Sequence, residues 1–315
     1  MALYLVTGGA GFIGSNIVRA LLERGEKVRV LDNFATGKRA NLAEFEKHIE
    51  IIAGDVRDRE VARCAVEAVD FVLHQAALGS VQRSVEDPHT TNEVNLTGTL
   101  NLLWAAKEAN VRRFVFASSS SVYGNTPTLP KEESMSPQPI SPYAVSKLAA
   151  ERYALSFHLV YGLETVALRY FNVFGPKQDP DSQYAAVIPR FITALLQGKP
   201  PVIYGDGEQS RDFTYVDNVV HANLLACTAP EAPGQFMNVA CGERYSLNQL
   251  VKCLFEILDK RVFPVYEKER AGDVKHSMAA IDHATRVLSF APHVKFQEGL
   301  QRTVSWYLGQ AQAPR

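Results

Sequence analysis

The segment Gly8-Gly9-Ala10-Gly11-Phe12-Ile13-Gly14 stands directly between an apolar run, 2–7, and an amphipathic stretch, 12–24. No other feature constrains the fold as strongly. Glycines between a strand and a helix permit a tight turn and a close backbone approach, and the N–H groups that open the helix then form an anion site. In the stretch that follows, Phe12, Ile13, Ile17, Val18, Leu21 and Leu22 recur at helical spacing, and Gly25 closes the helix before an apolar strand at 27–31. Further strands at 49–53, 70–74, 113–117 and 165–169 alternate with helices at 90–109 and 143–161. The rhythm predicts an α/β fold, a Rossmann-type doubly wound parallel sheet.

After Asn172 the rhythm loosens into a helix near 185–197, a strand at 201–204 and the turn Gly205-Asp206-Gly207. The run Phe213–Asp217, a helix through Ala229 and a strand at Gln235–Ala240 form another αβ unit that returns to the first sheet. A helix at 246–258, a strand at 262–266 and helices at 281–289 and 296–308 complete a smaller C-terminal α/β substrate domain. The expected division sets 1–171, with 213–241 returning, against 172–212 and 242–315.

With 315 residues, 46% of them hydrophobic, the chain has ample material for a large core. A formal net charge of -1 gives no electrostatic argument for nucleic acid or an anionic membrane. Strand 2–7 starts too early for a signal peptide and no transmembrane run follows, so a cytoplasmic protein is expected. Cys64, Cys227, Cys241 and Cys253 lie far apart and read as buried reduced thiols; the eight histidines show no metal-ligand spacing.

Gly8, Gly11, Phe12, Ile13 and Gly14 are placed to hold a dinucleotide pyrophosphate. Asp32, at the end of the second strand, can accept hydrogen bonds from ribose hydroxyls and disfavours a 2′-phosphate. NAD is therefore expected as cofactor, although Lys38 and Arg39 keep NADP open. Asp55 and Val56 are expected to flank the adenine, and Gln75-Ala76-Ala77 to lie near ribose or phosphates.

Tyr143 and Lys147 are one helical turn apart and share a face. Strand 113–117 leads into Ser118-Ser119-Ser120-Ser121, at the sheet edge where such folds bind ligands. A phenol with a pKa of about 10 is a poor base at neutral pH unless a nearby ammonium and an oxidised nicotinamide favour phenolate. Tyr143 then takes a hydroxyl proton, Ser119 relays it, and Lys147 tunes Tyr143 and holds the nicotinamide ribose. Tyr123 is a rival base, but no lysine stands four residues after it.

These residues resemble the extended short-chain dehydrogenase/reductase family over essentially the whole chain. More narrowly they are similar to UDP-hexose 4-epimerases, closest to those acting on UDP-N-acetylglucosamine. The matching segments are Thr7–Gly14, Asp32-Asn33, Gly54-Asp55-Val56, Ser118–Gly124, Ser141–Lys147, Arg169–Gly175, Ala186–Pro189, Gly205–Gly207 with Arg211-Asp212, and Arg270–Asp273. The resemblance implies cofactor contacts from Asn33, Gly37 and Tyr170 as well, and a UDP-sugar held by Asn172, Arg211, Arg270 and Asp273, with Ala186, Val187, Val202 and Tyr204 around it. Ser277 matches a gate position where a small residue leaves room for an N-acetyl group, with Gly79, Ser121 and Ala186 also small.

The implied reaction interconverts UDP-N-acetylglucosamine and UDP-N-acetylgalactosamine through a 4-keto sugar, with UDP-glucose as a further substrate. Related dehydratases carry Asp-Glu where this chain has Ser120-Ser121, which argues against that chemistry. Restriction to UDP-glucose, a uronic-acid epimerase or decarboxylase, and a non-catalytic NAD sensor stay open. Helices 90–109 and 143–161 resemble dimer helices of the family, with Leu102, Leu103 and Trp104 offering apolar surface for a homodimer.

Overall fold

The computed structural model describes residues 1–180, 186–269 and 275–312; Arg270 and Asp273 lie outside them. Strands β1 (Leu3–Thr7), β2 (Lys27–Asp32), β3 (Glu50–Ala53), β4 (Phe71–His74), β5 (Arg113–Ser119) and β6 (Thr165–Tyr170) form the core of one sheet. Short strands follow at β7 (Val173–Phe174), β8 (Val202–Tyr204), β9 (Ser210–Arg211) and β10 (Thr214–Tyr215), then β11 (Gln235–Val239), β12 (Tyr245–Ser246) and β13 (Val265–Glu267). The main sheet has seven strands in the order β3-β2-β1-β4-β5-β6-β11, all parallel. The order reverses between β1 and β4, and such a switch point opens a crevice at the carboxyl ends of the strands. This is a Rossmann-type doubly wound sheet.

Helices α1 (Phe12–Glu23), α2 (Arg59–Ala65), α3 (Val81–Glu86), α4 (Pro88–Asn92), α5 (Gly98–Glu108) and α6 (Pro142–Tyr161) come from the first half. Helices α7 (Val187–Leu196), α8 (Val216–Thr228), α9 (Leu247–Leu258), α10 (Asp282–Leu288) and α11 (Phe296–Gln312) come from the second. Adjacent strand residues feed opposite cores: Val6, Leu73, Val115 and Leu168 pack with α1 and α8, whereas Leu5, Val72, Phe114 and Ala167 pack with α2, α5 and α6. Burial on both faces explains why these strands read as unbroken apolar runs.

The expected helix 90–109 is in fact α4, a π-helical turn at Glu93–Thr97, and α5. Asp87 ends α3 and caps α4, its carboxylate accepting from Thr90 N–H at 3.0 Å with Pro88 in the first turn. Helix α2, absent from the sequence reading, begins where Asp58 accepts from the N–H groups of Glu60 and Val61. The strand expected at 262–266 shifts to β13, which pairs in parallel with β8. Leu102 and Leu103 do not offer surface: both are fully buried, and only Trp104 of that trio is exposed. Cys227 and Cys241 are buried as expected, but Cys64 is exposed; all four thiols are free. Among the described residues no helix is long and apolar enough to cross a membrane.

Candidate active site

The glycine turn is sterically determined. Gly8 has φ +65°, and a Cβ there would lie 2.7 Å from the Ala76 nitrogen; a Cβ at Gly14 would lie 2.2 Å from the Gly8 oxygen. Gly11 caps α1 without any side-chain acceptor, and the first turn carries no acid. Helix N–H groups are thus left for an anion, in a cradle that side chains would fill.

Three cavities join around this turn. One of about 160 Å³ is lined by Asp32, Asn33, Gly37, Asp55, Val56 and Ala76. It shares Gly8, Gly11, Gln75 and Ala77 with a cleft of about 660 Å³ that holds Phe12, Ile13, Gly14, Gly79, Ser119, Ser121, Tyr143, Lys147, Tyr170 and Ser277. That cleft shares Asn172, Ala186 and Arg211 with a third cavity of about 270 Å³, walled by Val187, Val202 and Tyr204. Every expected site residue within the described segments therefore lines one trench across the carboxyl edge of the sheet.

At the first end, Asp32 is nearly buried; its Oδ2 accepts from Ala10 N–H at 2.9 Å and its Oδ1 from Phe34 N–H at 2.8 Å. Burial raises its pKa and those two N–H groups oppose the rise. Asn33 donates to Asp55 at 2.8 Å, and the Arg57 guanidinium holds the Asp55 carboxyl down at about 2. The bases that kept NADP open are engaged elsewhere: Lys38 pairs with Asp179 at 2.9 Å, and Arg39 pairs with Glu46 at 3.2 Å and stacks on Phe34. A carboxylate at the end of β2 beside a glycine-built phosphate cradle fits NAD.

In the middle, Lys147 is buried and donates to the Ala117 carbonyl at 2.9 Å. Burial lowers its pKa to about 7. Ser119 Oγ accepts from Ser121 Oγ at 2.9 Å and from Ser121 N–H at 3.2 Å, which leaves its own proton for the Tyr143 phenol. Burial raises the Tyr143 pKa, and this hydrogen bond opposes it. In the chain alone, then, Ser119 is a lowering influence on Tyr143. Tyr123 is no rival: it is buried away from solvent, donates to Asn238 at 2.7 Å, and burial pushes its phenol up to about 12.

At the far end Asn172, with φ +28°, donates to the Asp212 carbonyl at 3.2 Å and to Ser277 Oγ at 3.1 Å. Ser277 is thereby tied to the loop that carries Arg211. Asp212 is fully buried and accepts from the N–H groups of Cys241, Gly242 and Ala279; burial moves its pKa up to about 6.

Sequence reasoning missed a buried polar network behind the site. Thr99 spends its only hydroxyl proton on the Asn95 carbonyl at 2.6 Å, so it accepts from His74 Nε2–H at 2.9 Å, and His74 Nδ1 accepts from Thr7 at 2.6 Å. Burial, then the Lys147 ammonium, lowers the His74 pKa to about 3, which agrees with this neutral tautomer. Asn95, inside the π turn, donates to Ser146 at 3.1 Å, and Ser146 donates to the Tyr143 carbonyl at 2.8 Å. No local signal marks it, since Asn95 lies among Thr90, Thr91, Asn92, Glu93 and Thr97 and reads as one more polar residue of the stretch. Arg83 and Lys131 also line the central cleft and were not singled out.

Residues 4–240 match the NAD dependent epimerase/dehydratase family. A solved UDP-N-acetylglucosamine 4-epimerase from Methanobrevibacter ruminantium, in complex with UDP-N-acetylmuramic acid, is 45% identical with a TM-score of 0.94, covering 98% of this chain and 99% of that one. The Thermus thermophilus UDP-glucose 4-epimerase in complex with NAD is 40% identical with a TM-score of 0.89, covering 98% and 99%. A UDP-glucuronate 4-epimerase from Thermodesulfobacterium geofontis is 35% identical over 97% of this chain and 96% of its own length.

Proposed function

Because the chain belongs to the NAD dependent epimerase/dehydratase family, we propose that this UDP-sugar 4-epimerase interconverts UDP-N-acetylglucosamine and UDP-N-acetylgalactosamine, with UDP-glucose and UDP-galactose as a second pair. Residues 1–171 and 213–241 form the NAD-binding part in this reading, and 172–212 with 242–315 the sugar-nucleotide part. Bound NAD supplies a hydride acceptor and, after the sugar turns over, the donor. Tyr143 takes the proton of the 4-hydroxyl and returns it, Ser119 holds that oxygen, and Lys147 orients the cofactor's ribose. Arg211 and Arg270 clamp the pyrophosphate, while Asn172 and Asp273 help to hold the rest of the UDP portion; Arg270 and Asp273 belong to a segment outside the described residues. The sugar is gripped loosely, so that the 4-keto intermediate can present its other face.

The observation that supports the N-acetyl assignment is room in the cleft that Ser277 lines. Ser277 lines the cleft, and a Cβ placed on Gly79 in the same cleft meets nothing within 4 Å. A Ser277→Tyr substitution should fill that room: we expect kcat/KM for UDP-N-acetylglucosamine to fall about a hundredfold, with turnover of UDP-glucose retained. Equal losses on both sugars in a coupled assay would refute the gate.

One observation favours a second reading, an acidic sugar. Lys131 is 2% exposed, and its ammonium donates to the Thr126 carbonyl and hydroxyl but pairs with no carboxylate among the described residues. A uronate carboxylate could supply the missing counter-charge. Faster turnover of UDP-glucuronate than of UDP-N-acetylglucosamine would establish this reading over the first.

A further inference from the structure

The catalytic helix is joined to the serine strand by two consecutive ties. Lys147 on α6 donates to the Ala117 carbonyl of β5, and the next β5 residue, Ser118, donates from Oγ to Glu151 Oε2 at 2.7 Å. Glu151 lies one helical turn beyond Lys147, so both ties come from one face of α6. Glu151 is also the partner of Arg169: Oε2 accepts from Nε at 2.9 Å and Oε1 from Nη2 at 2.6 Å. Both side chains of the pair are completely buried. Arg169 is the register partner of Ser118 on β6, and its guanidinium packs 4.8 Å from the Tyr123 ring and 4.2 Å from the Phe236 ring.

An arrangement of this kind is an expensive way to obtain stability. Apolar residues of similar volume commonly match or exceed a buried ion pair, and here Arg169 Nη1 has no hydrogen-bond partner among the described residues. What an apolar pair would not supply is an acceptor for Ser118, the neighbour of Ser119.

We propose that the buried Glu151–Arg169 pair is a positioning device for the reaction: through Ser118 it fixes the end of β5, and hence Ser119, against the helix that carries Tyr143. The inference rests on the reading of Ser119, Tyr143 and Lys147 as the reacting groups. Neither Glu151 nor Arg169 lines the cleft. They act through Ser118 and the backbone, on a contact in which small displacements are costly. The groups set around Tyr143 are Ser119 from β5 and Lys147 from its own helix, with His74 of β4 behind Lys147.

Three variants of the full-length protein test this. In Ser118→Ala, which removes one hydroxyl, kcat on UDP-N-acetylglucosamine should fall about tenfold to a hundredfold with KM within about twofold of wild type. The phenol of Tyr143, followed by ¹³C NMR of ring-labelled tyrosine, should titrate at higher pH as the Ser119 hydrogen bond loosens. Glu151→Gln should behave alike but also melt lower, because Arg169 is left uncompensated. In the double variant Glu151→Met/Arg169→Met the melting temperature should recover while kcat stays low.

Wild-type kcat and an unmoved Tyr143 titration in Ser118→Ala would overturn the proposal. Recovery of kcat together with melting temperature in the double variant would overturn it too, by showing a purely structural role. Absence of wild-type turnover on every UDP-sugar would instead remove the functional reading, and the Tyr143 titration would then decide the positioning claim.

Discussion

Lys147 is buried and Tyr143 half-buried in the cleft wall, and in both places desolvation disfavours the charged form. Burial raises the phenol and lowers the ammonium to about 7, so the base is not ready in the chain alone and the Ser119 hydrogen bond only partly offsets this. In the proposed reaction the positive nicotinamide ring of bound NAD would add a further influence that favours phenolate. Lys147 also leaves a trace in stability. Its folded pKa lies below the unfolded value, so the folded chain binds fewer protons between about pH 7 and about pH 10.4, and stability rises with pH across that window. Below the window the full penalty of a buried ammonium applies. Lys147→Met removes this penalty while losing the bond to Ala117. Denaturant melts of the protein free of NAD should show the variant gaining on wild type as pH falls from about 10 to about 7. A pH-independent gap would show that Lys147 is not held below its ordinary value.

At the scale of elements, α6 does most of the work: it presents Tyr143 and Lys147 inward and an apolar surface outward. Tyr153, Leu159, Val160 and Tyr161 are exposed there, with Trp104 of α5 packed edge-on to Tyr161. We propose that the chain forms a homodimer through this face. Light scattering should give twice the 34.8 kDa chain mass for wild type and a single chain mass for Leu159→Glu/Val160→Glu. A monomeric wild type, or an unchanged variant mass, would rule that contact out. The elements themselves were unevenly legible. Strand β1, helix α1 and strand β2 could be read because an apolar run, a helical stripe and glycine punctuation agree over consecutive residues. Helices α2 and α3 could not: each is short and is set by one cap, Asp58 or Ser80, which in sequence looks like any polar loop residue. Leu102 and Leu103 were misjudged because a helix covered on more than one side has no single apolar stripe to mark its inner face.

Across the whole molecule, the candidate site was legible wherever its residues form local motifs: the glycine turn, Tyr143 with Lys147, and the serines that end β5. It was illegible where chemistry depends on buried polar residues from distant elements, as with His74, Asn95, Glu151 and Arg169, since a lone polar residue in sequence looks like surface. The trench itself arises from topology, because the switch between β1 and β4 opens the crevice that the glycine turn and Asp32 line from one side. The second half closes the far end with Asn172, Arg211 and Ser277. In the proposed reading, one continuous trench takes both cofactor and sugar nucleotide, with the sugar ring next to the cofactor. Such a layout suits a reaction in which hydride leaves and returns without release of either partner.

That return is the central claim, and one isotope experiment addresses it. UDP-N-acetylglucosamine carrying deuterium at C4 is incubated with the purified protein, with no NAD added, and the products are resolved by NMR. The account predicts UDP-N-acetylgalactosamine with the deuterium still at C4. A product that has lost the label, or no conversion even after NAD is supplied, would contradict it.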